Sequence, residues 1–234
     1  EEEIHRLIEE LKDSNRQLER FAYVASHDLR EPLRMIHSYL SLIQARRGTE
    51  LSEEGSEYLH FVLDASRRME NMVQRLLRYA RLNGKEVLKT VSLNQVLENA
   101  KNNLRLKIEE KKAEMICDTL PSVSGDAGQL ERLFQNLLEN ALKYNPSPKP
   151  LIEIQCRRRE TEYEISVKDN GRGIEKAYHD RLFQIFTRLP GSDRESSGIG
   201  LAECRKIVEN HGGKIWLKTG ESPGACFYFT LPVL

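Results

Sequence analysis

The sequence predicts an α+β architecture: an N-terminal antiparallel helical hairpin, then an α/β sandwich with a mixed sheet and helices on one face. Three observations carry that prediction. Residues 1–82 hold only two of the 14 glycines (Gly48, Gly55) and one of the eight prolines (Pro32), and a stretch poor in both reads as long helices. Apolar residues in that stretch recur at three- and four-residue steps. From Asn83 onward, strand-like runs alternate with helical ones. The expected domains are therefore a helical hairpin at 1–82, a linker at 83–86 and an α/β domain at 87–234.

The elements follow in order. Ile4, Leu7, Leu11, Leu18, Phe21 and Ala25 form a heptad stripe, so the chain enters as a coiled coil. Four-residue steps to Leu29 and Leu33 make a stutter, and the stripe resumes through Ile36, Leu40 and Ile43. Gly48 to Ser52 supplies a turn, with Ser52 as N-cap ahead of Glu53 and Glu54. A second stripe runs Tyr58, Val62, Ala65, Met69, Met72, Leu76, Tyr79. Helices joined by so short a turn pair antiparallel. One hairpin cannot bury both stripes, which predicts a dimeric four-helix bundle. Beyond it, strands are expected at Val87–Val91, Ala113–Cys117, Leu151–Arg157, Tyr163–Lys168, Lys214–Lys218 and Ala225–Leu231. Helices are expected at Leu93–Glu110, Ala127–Tyr144 and Leu201–His211.

Charge narrows the partners. The 36 basic and 36 acidic residues cancel. Residues 1–82 carry 13 basic against 15 acidic groups and the rest 23 against 21, so neither part is a polyelectrolyte. That argues against a bulk electrostatic grip on nucleic acid or an anionic membrane. No apolar run approaches the ~20 residues of a membrane helix, and the acidic start is not that of a signal peptide. Cys117, Cys156, Cys204 and Cys226 lie far apart, with neither zinc-type pairing nor a disulfide-dense pattern. A reducing, cytoplasmic setting is expected.

The familiar phosphate loops G-x-x-x-x-G-K-[ST] and G-x-G-x-x-G are absent, as are the H-R-D and D-F-G pair. Two other glycine elements stand out: Asp169-Asn-Gly171-Arg-Gly173 after a strand, and Ser196-Ser-Gly198-Ile-Gly200-Leu201 at a helix start. Glycines at a helix start let backbone N–H groups approach a phosphate at the positive end of the helix dipole. Asp169, a carboxylate with no donor of its own, suits an exocyclic amine; a chance turn is the alternative. Asp126 in Gly125-Asp126-Ala-Gly128 reads better as an N-cap. Asn136, Asn140 and Lys143 share one helix face, with Tyr144 beside them. Amide oxygens suit a hard cation such as Mg²⁺ and a lysine reaches its phosphates, although such a face can equally be turned to water.

The blocks in order, Asn136/Asn140, Asp169-x-Gly171-x-Gly173, Phe183 and Phe186, Gly198-x-Gly200-Leu201, resemble the N, G1, F and G2 boxes of the ATP-binding domain of sensor histidine kinases. Upstream, Phe21-Ala-Tyr-Val-Ala-Ser-His27-Asp28-Leu-Arg30-Glu31-Pro32-Leu33 resembles the H box of that family. The resemblance spans essentially the whole chain. It implies a Bergerat-type (GHKL) ATP-binding fold behind a dimerisation and histidine-phosphotransfer hairpin, with ATP and Mg²⁺ as cofactors. His27 would be the phosphoacceptor, and Asp28 the carboxylate that orients its ring. Asn140 would ligate Mg²⁺; Asn136 would assist at the phosphates, Lys143 contact them, and Tyr144 pack near the nucleotide. Asp169 would bind the adenine amino group, with Gly171 and Gly173 admitting the backbone near it. Residues 187–197 would form a lid whose Arg188 or Arg194 screens the γ-phosphate, anchored at its base by Phe183 and Phe186 unless these are plain core. The other histidines, His5, His37, His60, His179 and His211, are expected to be structural or surface residues.

The implied function is autophosphorylation of His27 and transfer to an aspartate of a response regulator, by a homodimer whose sensor lies upstream. Two departures qualify it. Ser196 replaces a usual glycine of the G2 box. Glu31 stands where family members that also dephosphorylate their partner carry Thr or Asn, so phosphatase activity is expected to be weak. The alternatives are a gyrase-like ATPase, against which Asn136 in place of a glutamate base counts, and a non-catalytic scaffold.

Overall fold

The computed structural model describes residues 6, 29, 31–46, 51–82, 88–187, 198–218 and 224–234. It divides into two compact units, Glu1–Asn83 and Gly84–Leu234. The apolar stripe of the coiled-coil entry from Ile4 to Ala25, the residues His27 and Asp28, and the linker 83–86 lie outside the described residues.

In the first unit, residues 31–46 form helix α1 and Glu53–Arg81 form α2. Ser52 caps α2, its hydroxyl accepting the Gly55 N–H at 3.1 Å, with Glu53 and Glu54 in the positive first turn. Leu33 of α1 is buried with Val73 and Leu77 of α2, and the Ser66 hydroxyl donates to the Leu33 carbonyl. The start of α1 thus meets the second half of α2, as in an antiparallel hairpin.

The structure corrects one expectation here. The buried row of α2 is Leu63, Ser66, Val73 and Leu77, one position away from the expected stripe. Tyr58, Phe61, Val62 and Met69 stand exposed, as do Met35, Ile36, Tyr39 and Ile43 on α1. The cause is that α2 carries two adjacent apolar faces, about 100° apart, and α1 covers only one.

The second unit is built on a five-stranded sheet of order β2-β4-β5-β7-β6. Its strands are β2 (Glu114–Cys117), β4 (Leu151–Arg158), β5 (Glu162–Asp169), β6 (Ile215–Lys218) and β7 (Cys226–Pro232). The β2–β4 pair is parallel and the rest are antiparallel, so the sheet is mixed. A separate ladder joins β1 (Lys89–Ser92) to β3 (Ser122–Gly125). Helices α3 (Leu93–Asn103), α5 (Ala127–Lys143) and α6 (Gly200–Asn210) complete the layer. Ile152, Ile154, Ile165, Val167, Phe227 and Phe229 of the sheet are buried together with Leu130, Leu133, Phe134, Leu137 and Leu138 of α5. The Phe134 and Phe229 rings meet edge to face at 5.7 Å.

Three local expectations change. The helix expected over Leu93–Glu110 breaks at Leu104 (φ −103, ψ 6), and α4 (Arg105–Glu110) follows. Strand β3 was not anticipated, because Ser122–Gly125 offers one apolar residue, the buried Val123. Lys176–Arg181 form a 3₁₀ helix within what had no assigned element.

Candidate functional site

Asp126 starts α5, its Oδ1 accepting the Gln129 N–H at 2.6 Å. Its own N–H is accepted by Nε2 of the buried His211, whose Nδ1 meets the Ile207 carbonyl at 2.7 Å. That pair of partners fixes a neutral His211 with the proton on Nδ1, so this histidine is structural. From that start α5 runs along the sheet with its apolar face down, leaving Asn136, Asn140 and Lys143 half-buried along one side. The three fall on one face because their spacing is four and three residues.

The two ends of this polar row meet different partners. At its C-terminal end the Tyr144 carbonyl accepts the Arg172 N–H at 3.4 Å, and the Asn145 amide donates to Asn170 Oδ1 at 2.7 Å. The Arg172 guanidinium lies 5.0 Å from the Tyr144 ring centroid and Lys143 Nζ lies 5.9 Å from it. At its other end, Asn136 Nδ2 donates to Glu203 Oε2 at 3.1 Å, in the first turn of α6. Asn136 to Tyr144 spans eight residues, a strip of about 12 Å at the helical rise.

Asp169 closes β5 beside the Tyr144 end. Its Oδ1 accepts two backbone N–H groups, from Gly171 at 2.8 Å and Ala225 at 3.2 Å. Burial pushes its carboxyl above the ordinary value, and those two hydrogen bonds pull partly back. Gly171 is required: a Cβ there would stand 2.8 Å from Asp169 Oδ1 and 2.9 Å from the Tyr144 carbonyl oxygen. Gly173 has φ +72 and packs on the Gly224 backbone.

Gly198, Gly200 and Leu201 lead into α6, which no side chain among the described residues caps. Gly198 has φ +67, and its carbonyl accepts the Phe186 N–H at 2.9 Å. The two phenylalanines separate. Phe183, half-buried, packs edge to face on the buried Phe227 at 6.4 Å. Phe186, exposed and at φ +64, ties the chain before residue 188 to the chain after residue 197. Arg188, Arg194 and the rest of the segment between lie outside the described residues.

The structure thus brings Asn136, Asn140, Lys143, Tyr144, Asp169 and Gly171 to one strip, with Gly200 and Leu201 opening the helix that meets its Asn136 end. Sequence reasoning missed Glu203, which is 3% exposed on the inner face of α6. It also missed the Ala225 N–H and the Asn145–Asn170 bond. The one visible signal was a glutamate inside the apolar row Ala202, Cys204, Ile207, Val208. Beside it, burial, and secondarily the Glu203 charge, hold the Cys204 thiol well above its ordinary pKa, against a smaller lowering by Asn136.

Known proteins share both parts. Residues 17–85 match the family model of the His Kinase A (phospho-acceptor) domain, and residues 125–234 that of the histidine kinase-, DNA gyrase B- and HSP90-like ATPases. Cyanobacterial phytochrome A of Nostoc sp. is 38% identical over 234 residues, 99% of this chain and 31% of that protein. The adaptive-response sensory kinase SasA of Synechococcus elongatus is 31% identical, over 96% of this chain and 61% of that one. The chain spans under a third of the length of the phytochrome relatives it matches. Among solved structures, the catalytic domain of the histidine kinase ThkA aligns at TM-score 0.54 and 26% identity, covering 62% of this chain and 97% of that one. Full-length ShkA in complex with AMPPNP shares the fold at TM-score 0.69 and 22% identity, covering 91% of this chain and 45% of that one.

Proposed function

This chain belongs to the sensor histidine kinases and carries their catalytic core, and from that premise we propose that it is an ATP-dependent protein-histidine kinase that phosphorylates its own His27. The observation that supports this most is the strip on α5, with an adenine-type acceptor at one end and the glycine-led start of α6 at the other. Asp169 accepts the adenine amino group, since both backbone donors it receives use Oδ1 and leave Oδ2 for the base. Gly171 and Gly173 let the base approach, and Tyr144 packs beside it. Lys143 and the first N–H groups of α6, led in by Gly198 and set by Gly200 and Leu201, hold the phosphates. Arg188 or Arg194 screens the γ-phosphate.

Mg²⁺ that arrives on substrate phosphates needs only one or two protein oxygens. The half-buried Asn140 amide, in the middle of the strip, fits that demand as its ligand, with Asn136 assisting. Bound there, the ion would supply charge neutralisation at the phosphates. Asp28 accepts from one imidazole nitrogen of His27 and leaves the other with a free lone pair. That nitrogen attacks the γ-phosphorus; an N–P bond forms, the bond to the bridging oxygen breaks, and ADP leaves. The residues contribute positioning and charge stabilisation. The phosphoryl group then passes to an aspartate of a response-regulator receiver domain.

The exposed apolar rows of α1 and α2 support a homodimer through the hairpin, completing a four-helix bundle. We assign dimerisation and phosphotransfer to 1–82, a linker to 83–86 and catalysis to 87–234, with a sensor region elsewhere in the full-length protein. No described helix is long and apolar enough to cross a membrane. All four cysteines are free thiols, which suits a cytoplasmic location. Glu31 is exposed on the hairpin and stands where family members that dephosphorylate their partner carry a neutral Thr or Asn, so dephosphorylation of the partner is slow.

The test is incubation with γ-labelled ATP and Mg²⁺. Acid-labile, alkali-stable label should appear on wild type and vanish in His27→Gln. Equal labelling of both would remove His27 as acceptor, and sustained phosphate release without label would favour an ATPase.

A further inference from the structure

We propose that Glu203 is a positioning residue that fixes which end of the Asn136 amide faces the nucleotide. This rests on the reading of Asn136 as part of the phosphate end of the site.

The helical period of α6 calls for an aliphatic residue at position 203. Its neighbours on the inner face, Ala202, Cys204, Ile207 and Val208, are all buried, and Glu203 is only 3% exposed. A carboxylate in that place is costly unless partnered. It has two partners, both on α5. Asn136 Nδ2 donates to Oε2 at 3.1 Å. An Arg132 guanidinium nitrogen stands 3.7 Å from Oε1, inside ion-pair range but beyond a hydrogen bond. Oε1 accepts no hydrogen bond from the described residues, so the Asn136 amide is the side-chain group that Glu203 holds by a directed bond.

That bond has a direction. An ionised carboxylate only accepts, whereas a primary amide has a donor end and an acceptor end. Facing Glu203, Asn136 must turn Nδ2 inward and so presents Oδ1 on its other side. A free amide on a half-buried helix face would flip between the two. One orientation offers an acceptor, suited to a donor or a hard cation beside the phosphates; the other offers N–H to the phosphates themselves. Glu203 selects the first. The glutamate base of related ATPases is absent at position 136; the nearby Glu203 supplies no base there and acts only by orienting the amide.

The test combines a structural and a kinetic readout on the full chain. In ¹⁵N-labelled wild type, the Asn136 side-chain NH₂ pair (identified by its loss in Asn136→Ala) should exchange slowly with solvent, and Glu203→Gln should speed that exchange and shift the pair. A fast-exchanging wild-type pair overturns the proposal before any variant at position 203 is needed. In γ-labelled ATP assays, Glu203→Gln should lower kcat about tenfold, the worth of one charge-assisted hydrogen bond, with KM for ATP within about twofold. In the Asn136→Ala background the same change should cost nothing further, because Glu203 acts through that amide. Multiplying losses, or a wild-type kcat for Glu203→Gln, would overturn the proposal. Absence of label on wild type would instead defeat the kinase reading, and the amide exchange alone then decides the role of Glu203.

Discussion

Helices α2 and α5 are both long, and both carry two adjacent apolar faces, yet their own chain treats them differently. On α5 eight residues are buried, among them Leu133, Phe134, Leu137 and Leu138 with no exposed surface at all. The sheet lies beneath it, and α3 and α6 pack along it. On α2 one face is covered by α1, while Tyr58, Phe61, Val62 and Met69 keep between 47% and 59% of their surface in solvent. The α/β unit closes its core alone. The hairpin leaves a contiguous apolar face of the kind that marks an interface. Stability in the first unit should thus depend on protein concentration, and in the second it should not.

The strongest way to break that contrast is Phe134→Ala. Removing a fully buried ring that also meets Phe229 should cost the α/β unit about 3–5 kcal/mol, read by denaturant unfolding, with no dependence on protein concentration. A loss near zero would mean that this core is not closed.

Asp169→Asn comes next and acts on ligand binding. The one carbonyl oxygen of the new amide is claimed by the Gly171 and Ala225 N–H groups, so its NH₂ would face the adenine amine of the proposed contact, donor against donor. Affinity for adenine nucleotide should fall by about 100-fold, the ~2–3 kcal/mol of an unmet buried donor, while dimerisation is unchanged; calorimetry measures the first and sedimentation the second. The pH dependence has a definite sign. Burial raises the Asp169 carboxyl above the ordinary value, so the folded state holds its proton at a pH where the unfolded chain has released it. Between the ordinary and the raised value, acidification should therefore favour the nucleotide-free fold through this group. The proposed contact to adenine requires the ionised carboxylate, so nucleotide affinity should weaken over that same window. Affinity that stays flat until below the ordinary carboxylate range would sink this reading.

On the hairpin, Phe61→Ser should weaken self-association by about 1–2 kcal/mol, as for an aromatic at the middle of an interface, and leave unfolding of the α/β unit untouched. If the sedimentation profile does not change, the exposed face of α2 is covered by something other than a second copy.

The same contrast explains what was legible in the sequence. Strands β4 and β5 could be read almost to the residue because Ile152 and Ile154 alternate with Glu153 and Gln155, and Ile165 and Val167 recur at the same two-residue step. Strand β3 could not, since its pairing with β1 across some thirty residues, not its own side chains, makes it a strand. The break at Leu104 was hidden because that residue is itself buried, and the apolar period runs through it. On α2 both faces fit a helical period, and only the position of α1 decides which is inside. At the site, amides and glycines at telling spacings marked Asn136, Asn140, Asp169 and Gly171. Their convergence with Ala225 and Glu203 comes from contacts 56 and 67 residues apart, which no local pattern encodes.

The smallest effect compares like with like across the two units. Ser52 and Asp126 cap α2 and α5 through one hydrogen bond each, at 3.1 and 2.6 Å. Asp126 accepts with a carboxylate, a stronger partner at the positive end of a helix than a hydroxyl, and its N–H also anchors His211. Asp126→Ala should cost about 1–2 kcal/mol and Ser52→Ala about 0.5–1 kcal/mol. The first should appear as lower stability of the α/β unit at every protein concentration. The second should appear mainly where the hairpin is dissociated, because a paired bundle adds tertiary support to a helix end that an isolated hairpin lacks. Unfolding curves of Ser52→Ala at low and high protein concentration separate these cases, and equal losses at both would show that α2 is held by its own chain after all.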